Sequence, residues 1–158
     1  MTSENTTGLS RRTLAKGAAW AAPVVAVAAA APQVAASPVC LEYNFDGTNA
    51  CKSPGEGSRF YHLVLRICNT CKTGSISVSF TIAQLQLNNG TILQACAGSS
   101  LPIVVSKTIA HGDCVEQDLG WFFSESGNPS KINGYDATGV LLFTASAPPA
   151  QDTCNCPA

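Results

Sequence analysis

The chain has 158 residues, with nine Lys and Arg against ten Asp and Glu and a formal net charge of −1. No basic cluster occurs anywhere, which argues against nucleic acid as a partner, because such binding needs dense Lys and Arg to displace phosphate counterions. Eight cysteines in a chain of one-domain length make the redox compartment the first question.

The earliest informative stretch is Ser10–Ala36. Arg11, Arg12 and Lys16 precede an apolar run, Gly17–Ala31, interrupted by Pro23 and followed by the small residues Val34-Ala35-Ala36. Basic, then apolar, then small is the order of a cleaved secretory signal, with cleavage expected between Ala36 and Ser37. As a membrane anchor the run falls short of the ~20 strongly apolar residues that a span needs. As a surface helix it lacks a polar face. A lipoprotein signal would lipidate Cys40 and leave an odd number of cysteines. The sequence Ser10-Arg11-Arg12-Thr13-Leu14-Ala15-Lys16 resembles the twin-arginine signals of secreted proteins of high-GC Gram-positive bacteria, departing at Ala15, where a larger apolar residue is common. The resemblance covers this segment alone. It implies the Tat translocase as a partner during export, loss of residues 1–36, and a mature domain, 37–158, that is secreted or held at the cell surface.

The mature portion loses Arg11, Arg12, Lys16 and Glu4, which leaves six basic and nine acidic residues and a net charge of −3. No second apolar run is long enough to form a transmembrane segment. The C-terminus, Asn155-Cys156-Pro157-Ala158, carries no sorting signal, so release or non-covalent retention is expected. Cys40, Cys51, Cys68, Cys71, Cys96, Cys114, Cys154 and Cys156 all follow the cleavage site. An even set in a small exported domain reads as a disulfide framework whose pairing spacing cannot assign.

In chain order, Leu41–Phe45 reads as a short strand and Asp46-Gly47-Thr48-Asn49 as a turn. Phe60–Cys68 is a strand with Tyr61, Leu63, Leu65 and Ile67 on one face and Phe60, His62, Val64 and Arg66 on the other. Ser75–Leu87 alternates apolar residues at Ile76, Val78, Phe80 and Ile82, then at Leu85 and Leu87. A period-two register cannot change face without an extra residue, so a bulge, bend or change of sheet is expected near Ala83. Asn88-Asn89-Gly90-Thr91 reads as a tight hairpin turn, with positive φ at Asn89 and Gly90 and Ile92–Cys96 returning antiparallel. Ile103–Ile109 is a strand opened by Pro102. His111-Gly112-Asp113 turns into Cys114–Phe123, with Trp121 and Phe123 assigned to the core. Lys131–Tyr135 and Val140–Ser146 pair around Asp136-Ala137-Thr138-Gly139. Short strands at hairpin spacing without an amphipathic helix indicate an all-β fold, a small disulfide-rich immunoglobulin-like β-sandwich.

Little in this pattern carries chemistry. Cys68-Asn69-Thr70-Cys71 ends a strand rather than opening a helix, which disfavours a redox dithiol. With Cys154 and Cys156 it offers four thiolates for tetrahedral zinc, an alternative to a set of four disulfide staples in which one bridge pins the tail to this turn. His62 and His111 have no evident nucleophile nearby, and neither a nucleophile elbow nor a metalloprotease His pair is present. Asp46-Gly47-Thr48-Asn49 is too sparse in oxygen ligands for a calcium loop. Glu116 and Asp118 share a strand face, without a sequence sign of the cleft that glycosidase chemistry requires. No catalytic, cofactor-binding or metal residue is assigned. The expectation is a non-catalytic exported domain that binds a protein or cell-wall surface or serves a structural role. The alternatives are a metal-binding protein and a small secreted hydrolase.

Overall fold

Alternation of apolar and polar residues sets the central strand. The computed structural model describes residues 40–55, 57–125 and 129–157; Arg11, Arg12 and the Ala36–Ser37 cleavage site lie outside them. Among the described residues all regular structure is β. The strands are β1 (Leu41–Asn44), β2 (Cys51–Lys52), β3 (Arg59–Asn69), β4 (Ile76–Ile82), β5 (Gln84–Leu87), β6 (Gln94–Ala95), β7 (Ile103–Ile109), β8 (Cys114–Ser124), β9 (Lys131–Tyr135) and β10 (Leu141–Ser146). In β3, Tyr61, Leu63, Leu65 and Ile67 are all 0% exposed, as the period-two pattern predicts. Burying each of the three aliphatic side chains contributes about 1.5–3 kcal/mol.

The all-β class is as expected, but the strands divide unequally. Eight belong to one sheet, ordered β5-β9-β10-β1-β3-β8-β6 with β2 also beside β3, and two, β4 and β7, form a second. This division does not confirm the two comparable sheets of an immunoglobulin-like sandwich. β1 enters between β3 and β10, antiparallel to the former and parallel to the latter. The large sheet curls until its ends approach. Gln86 of β5 bridges Ile92, and Leu93 N donates to Leu85 O at 2.9 Å, just before the chain enters β6 at the opposite edge. Such closure removes open edges.

The expected hairpin at Asn88–Thr91 is therefore only partly formed. Gly90 has φ 91° while Asn89 does not have positive φ, so this is not a turn with two left-handed residues. The returning chain leaves β5 after Leu93 and pairs instead with β8 through Gln94 and Ala95.

The change of phase near Ala83 is a change of sheet. β4 pairs with β7, and β5, one residue later, pairs with β9. Val78 and Ile82 of β4 and Leu85 and Leu87 of β5 all face one core. Across it, Val105 and Ile109 of β7 meet the inward residues of β3, β8 and β10. Phe143 ties the two sheets together: its ring stacks on Tyr43 at 5.4 Å and lies 6.0 Å from Phe45 and from Phe80. Aromatic pairs of this kind add about 0.5–1.5 kcal/mol beyond their buried area.

In β8 the assignment of Trp121 and Phe123 to the core is corrected. Leu63 pairs with Gly120 but Val64 pairs with Asp118, so Leu119 is the extra residue of a bulge. Inward positions are odd before it (Leu119, 4% exposed) and even after it (Phe122, 0%). Trp121 and Phe123 consequently stand half-buried on the outer face.

All eight cysteines are paired: Cys40–Cys71, Cys51–Cys154, Cys68–Cys114 and Cys96–Cys156. The C-terminal tail is pinned by two of these bridges to β2 and to the end of β6, not to the Cys68–Cys71 turn. It crosses the outer face as a strap, with Cys154 Sγ near Phe60 O and Cys156 Sγ near Phe122 O. Lys52 N donates to Pro149 O and Gln151 N to Lys52 O, so the strap also pairs with β2.

Candidate functional site

The outer face of β3 and β8 gathers most of the candidate residues. The register places His62 opposite Trp121, Val64 opposite Asp118, and Arg66 opposite Glu116. The bulge matters here, because it turns Trp121 outward onto His62. The two rings stack with centroids 4.5 Å apart and planes 12° apart. The sequence offers no local signal for this pairing, since it depends on register across two distant strands.

The turn Asp46–Asn49 lies down on this face. Gly47 sits so close to β3 that a Cβ there would stand 2.6 Å from Val64 Cγ1 and 2.9 Å from Val64 O. This contact helps to bury Val64, 5% exposed, on the outer face. Thr48 N donates to both oxygens of Glu116 at 3.1 Å. Asp46 and Arg66 form an ion pair at 3.7 Å, exposed and worth about 0–1 kcal/mol. His62 Nδ1–H donates to Asn49 O at 2.9 Å, and Nε2 lies 3.3 Å from Asp118 Oδ2. Asp118 Oδ1 accepts from Gly120 N at 2.7 Å, inside the bulge. The stretch Asp46–Asn49 is thus a clamped structural turn, as expected, with Asn49 at φ 64°.

His62, Glu116 and Asp118 are brought together, but each is engaged in holding the turn and the bulge in place. Protonated, the His62 ring donates to both of its acceptors; neutral, to one. His111 is elsewhere. Its exposed turn is held by backbone bonds, Gly112 N to Asn69 O and Asn69 N to Asp113 O. Seven residues along β3 separate the two histidines' sites, roughly 23 Å at strand rise. They do not share a site.

The thiolate set proposed for zinc is dispersed. Cys68, Cys71, Cys154 and Cys156 are bonded to Cys114, Cys40, Cys51 and Cys96 respectively. Among the described residues no group of His, Cys, Asp and Glu is placed to hold a metal ion. Asn69, inside the Cys-x-x-Cys segment, carries the order of that turn. It is 1% exposed, donates to Gly74 O and Ile109 O, and accepts from Cys71 N.

Sequence reasoning also missed the inward end of β3. Arg59 is 4% exposed and donates from Nη1 to Ser53 O at 3.0 Å, while Arg59 Nε and Tyr61 Oη are buried without a hydrogen-bond partner. Burial pushes the Tyr61 phenol up to about 12, against the opposing pull of the Arg59 charge. Lys52, paired with Tyr61 across β2 and β3, is lowered by desolvation and then by Arg59. No family, no curated protein and no solved structure matches this chain.

Proposed function

We propose that residues 37–158 are an exported, non-catalytic binding or structural domain, carried already folded by the twin-arginine translocase to act outside the cell or at its surface. The observation that supports a non-catalytic role is the outer-face cluster. A general base has to reach a proton of the substrate, whereas both ring nitrogens of His62 face groups of this chain, Asn49 O and Asp118. Glu116 is held by Thr48. Four disulfides agree with an oxidising destination, and no described helix is long and apolar enough to cross a membrane. The partner in this reading is a protein or cell-wall surface met by the outer face.

The test is intact-mass measurement of the product recovered outside cells expressing the full chain. The expected species begins at Ser37 and is lighter than the reduced chain by one hydrogen for each cysteine. Replacing Arg11 and Arg12 with Lys should keep the chain inside. An external product that retains residues 1–36, or export unaffected by the Lys pair, overturns the export reading. Stoichiometric zinc together with free thiols would restore the metal-binding alternative. A hydrolytic activity lost on His62→Ala and His111→Ala would restore the enzyme.

A further inference from the structure

Among the described residues β4 presents an open strand edge. Its partner is β7, and among the described residues the other side of Ile76–Ile82 has no ladder. Three other edges are covered or blunted. β5 is bridged by Ile92 and bonded by Leu93. β2 is paired with the C-terminal strap. β7 is preceded by Pro102 and carries Lys107, which lies in the phase of the buried residues Val105 and Ile109. An inward-pointing charge is one of the devices that keep an edge from pairing. β4, Ile-Ser-Val-Ser-Phe-Thr-Ile, has no charge, proline, glycine or bulge over seven residues.

The pattern of β4 is also symmetric about Ser79. Apolar residues occupy 76, 78, 80 and 82, and hydroxyl residues occupy 77, 79 and 81. A second β4 laid antiparallel and centred on Ser79 sets Ile76 against Ile82, Val78 against Phe80 and Ser77 against Thr81. Both copies then keep their apolar side inward and their hydroxyl side outward, and no charge opposes another within the pair. A two-fold contact requires this self-complementarity. We infer that the β4 edge docks a second copy of this chain, forming a continuous β7-β4-β4-β7 sheet across the two-fold axis. One seven-residue edge covers less than the roughly 1,200 Å² of a standard stable interface, so the dimer is reversible and concentration-dependent.

The experiment is sedimentation of the oxidised mature protein over a concentration series, with Ser79 variants. Ser79 is exposed and lies opposite itself at the axis, where like charges repel. The wild type should shift from monomer to dimer as concentration rises. Ser79→Lys and Ser79→Glu should each stay monomeric, and an equimolar mixture of the two should dimerise again. Ser106→Lys, on the outward face of β7, should dimerise as the wild type does. A wild type that stays monomeric throughout overturns the inference, as does a Ser79→Lys protein that dimerises normally, or a dimer lost equally in Ser106→Lys.

Discussion

Gly47 and Val64 meet at van der Waals limits, and that contact decides where the Asp46–Asn49 turn sits. Gly47→Ala would force the turn away from β3 and should cost about 1–3 kcal/mol, the range of overpacked sites, measured by urea denaturation. The same change displaces Asn49 from His62. Trp121 is the one tryptophan of residues 37–158, so in that domain its emission reads the stacked pair directly. His62→Ala should change that emission while leaving the far-ultraviolet dichroism of the fold intact; unchanged emission would show that the stack is absent in solution. Tyr61 gives a pH prediction. Its folded pKa is raised to about 12 from 10.0, so the native state holds a proton that the unfolded chain releases. The corresponding stability is fully present below pH 10 and is lost as pH rises toward 12. Tyr61→Phe should flatten that alkaline loss in denaturation midpoints taken across this window.

At the scale of elements, the β9–β10 hairpin shows a turn held by one carboxylate. Asp136 Oδ1 accepts from Thr138 N, Thr138 Oγ1 and Val140 N at 2.8, 2.7 and 2.9 Å. These bonds, the Thr138 side chain first, hold the Asp136 carboxyl below its ordinary 3.8. Because the folded pKa is depressed, the associated stability is present above pH 3.8 and is lost as pH falls through the folded value. Amide exchange at Val140 should accelerate in that acidic range in the wild type, whereas Asp136→Ala should exchange fast at every pH. The β8 bulge is a second local device. Gly120 holds φ 95°, a conformation costly for a side chain, and Trp121 N donates to Ser99 Oγ at 2.7 Å beside it. The corrected core follows from this bulge and can be checked. Phe143→Ala, which removes the ring joining both sheets, should cost about 3–5 kcal/mol. Phe123→Ala, on the half-buried outer face, should cost clearly less. Equal losses would contradict the inward phase described for β8 and β10.

For the whole molecule, the four bridges join elements already brought together by the core rather than replacing that core. Cys68 and Cys114 face each other in the β3–β8 register, and Cys51–Cys154 closes the longest separation, 103 residues. Each bridge is worth about 2–4 kcal/mol by restricting the unfolded chain. The proposed export in a folded state, from a reducing compartment, requires the core to form first. A variant with every cysteine replaced by Ser should therefore still unfold cooperatively, at a lower midpoint; a disordered variant would refute folding before oxidation.

The strands and their inward faces were legible in the residues themselves. Alternation is a property of a few neighbouring positions, so Tyr61 to Ile67 and Ile76 to Ile82 declare their faces, Ile103 to Ile109 declares a strand, and the break in phase at Ala83 declares a bulge, bend or change of sheet. The export segment and its Arg11-Arg12 pair are likewise local, and they remain an expectation from sequence. What the residues did not declare depends on distant chain meeting. The cysteine pairing, the tail strapped over β3 and β8, the parallel contact of β1 with β10 and the hand-over from β5 to β8 all join segments far apart in sequence. Trp121 shows why. Its alternation with Phe123 points inward if the strand is regular, and only the bulge beside Gly120, seated against Ser99, reverses it and sets the indole on His62.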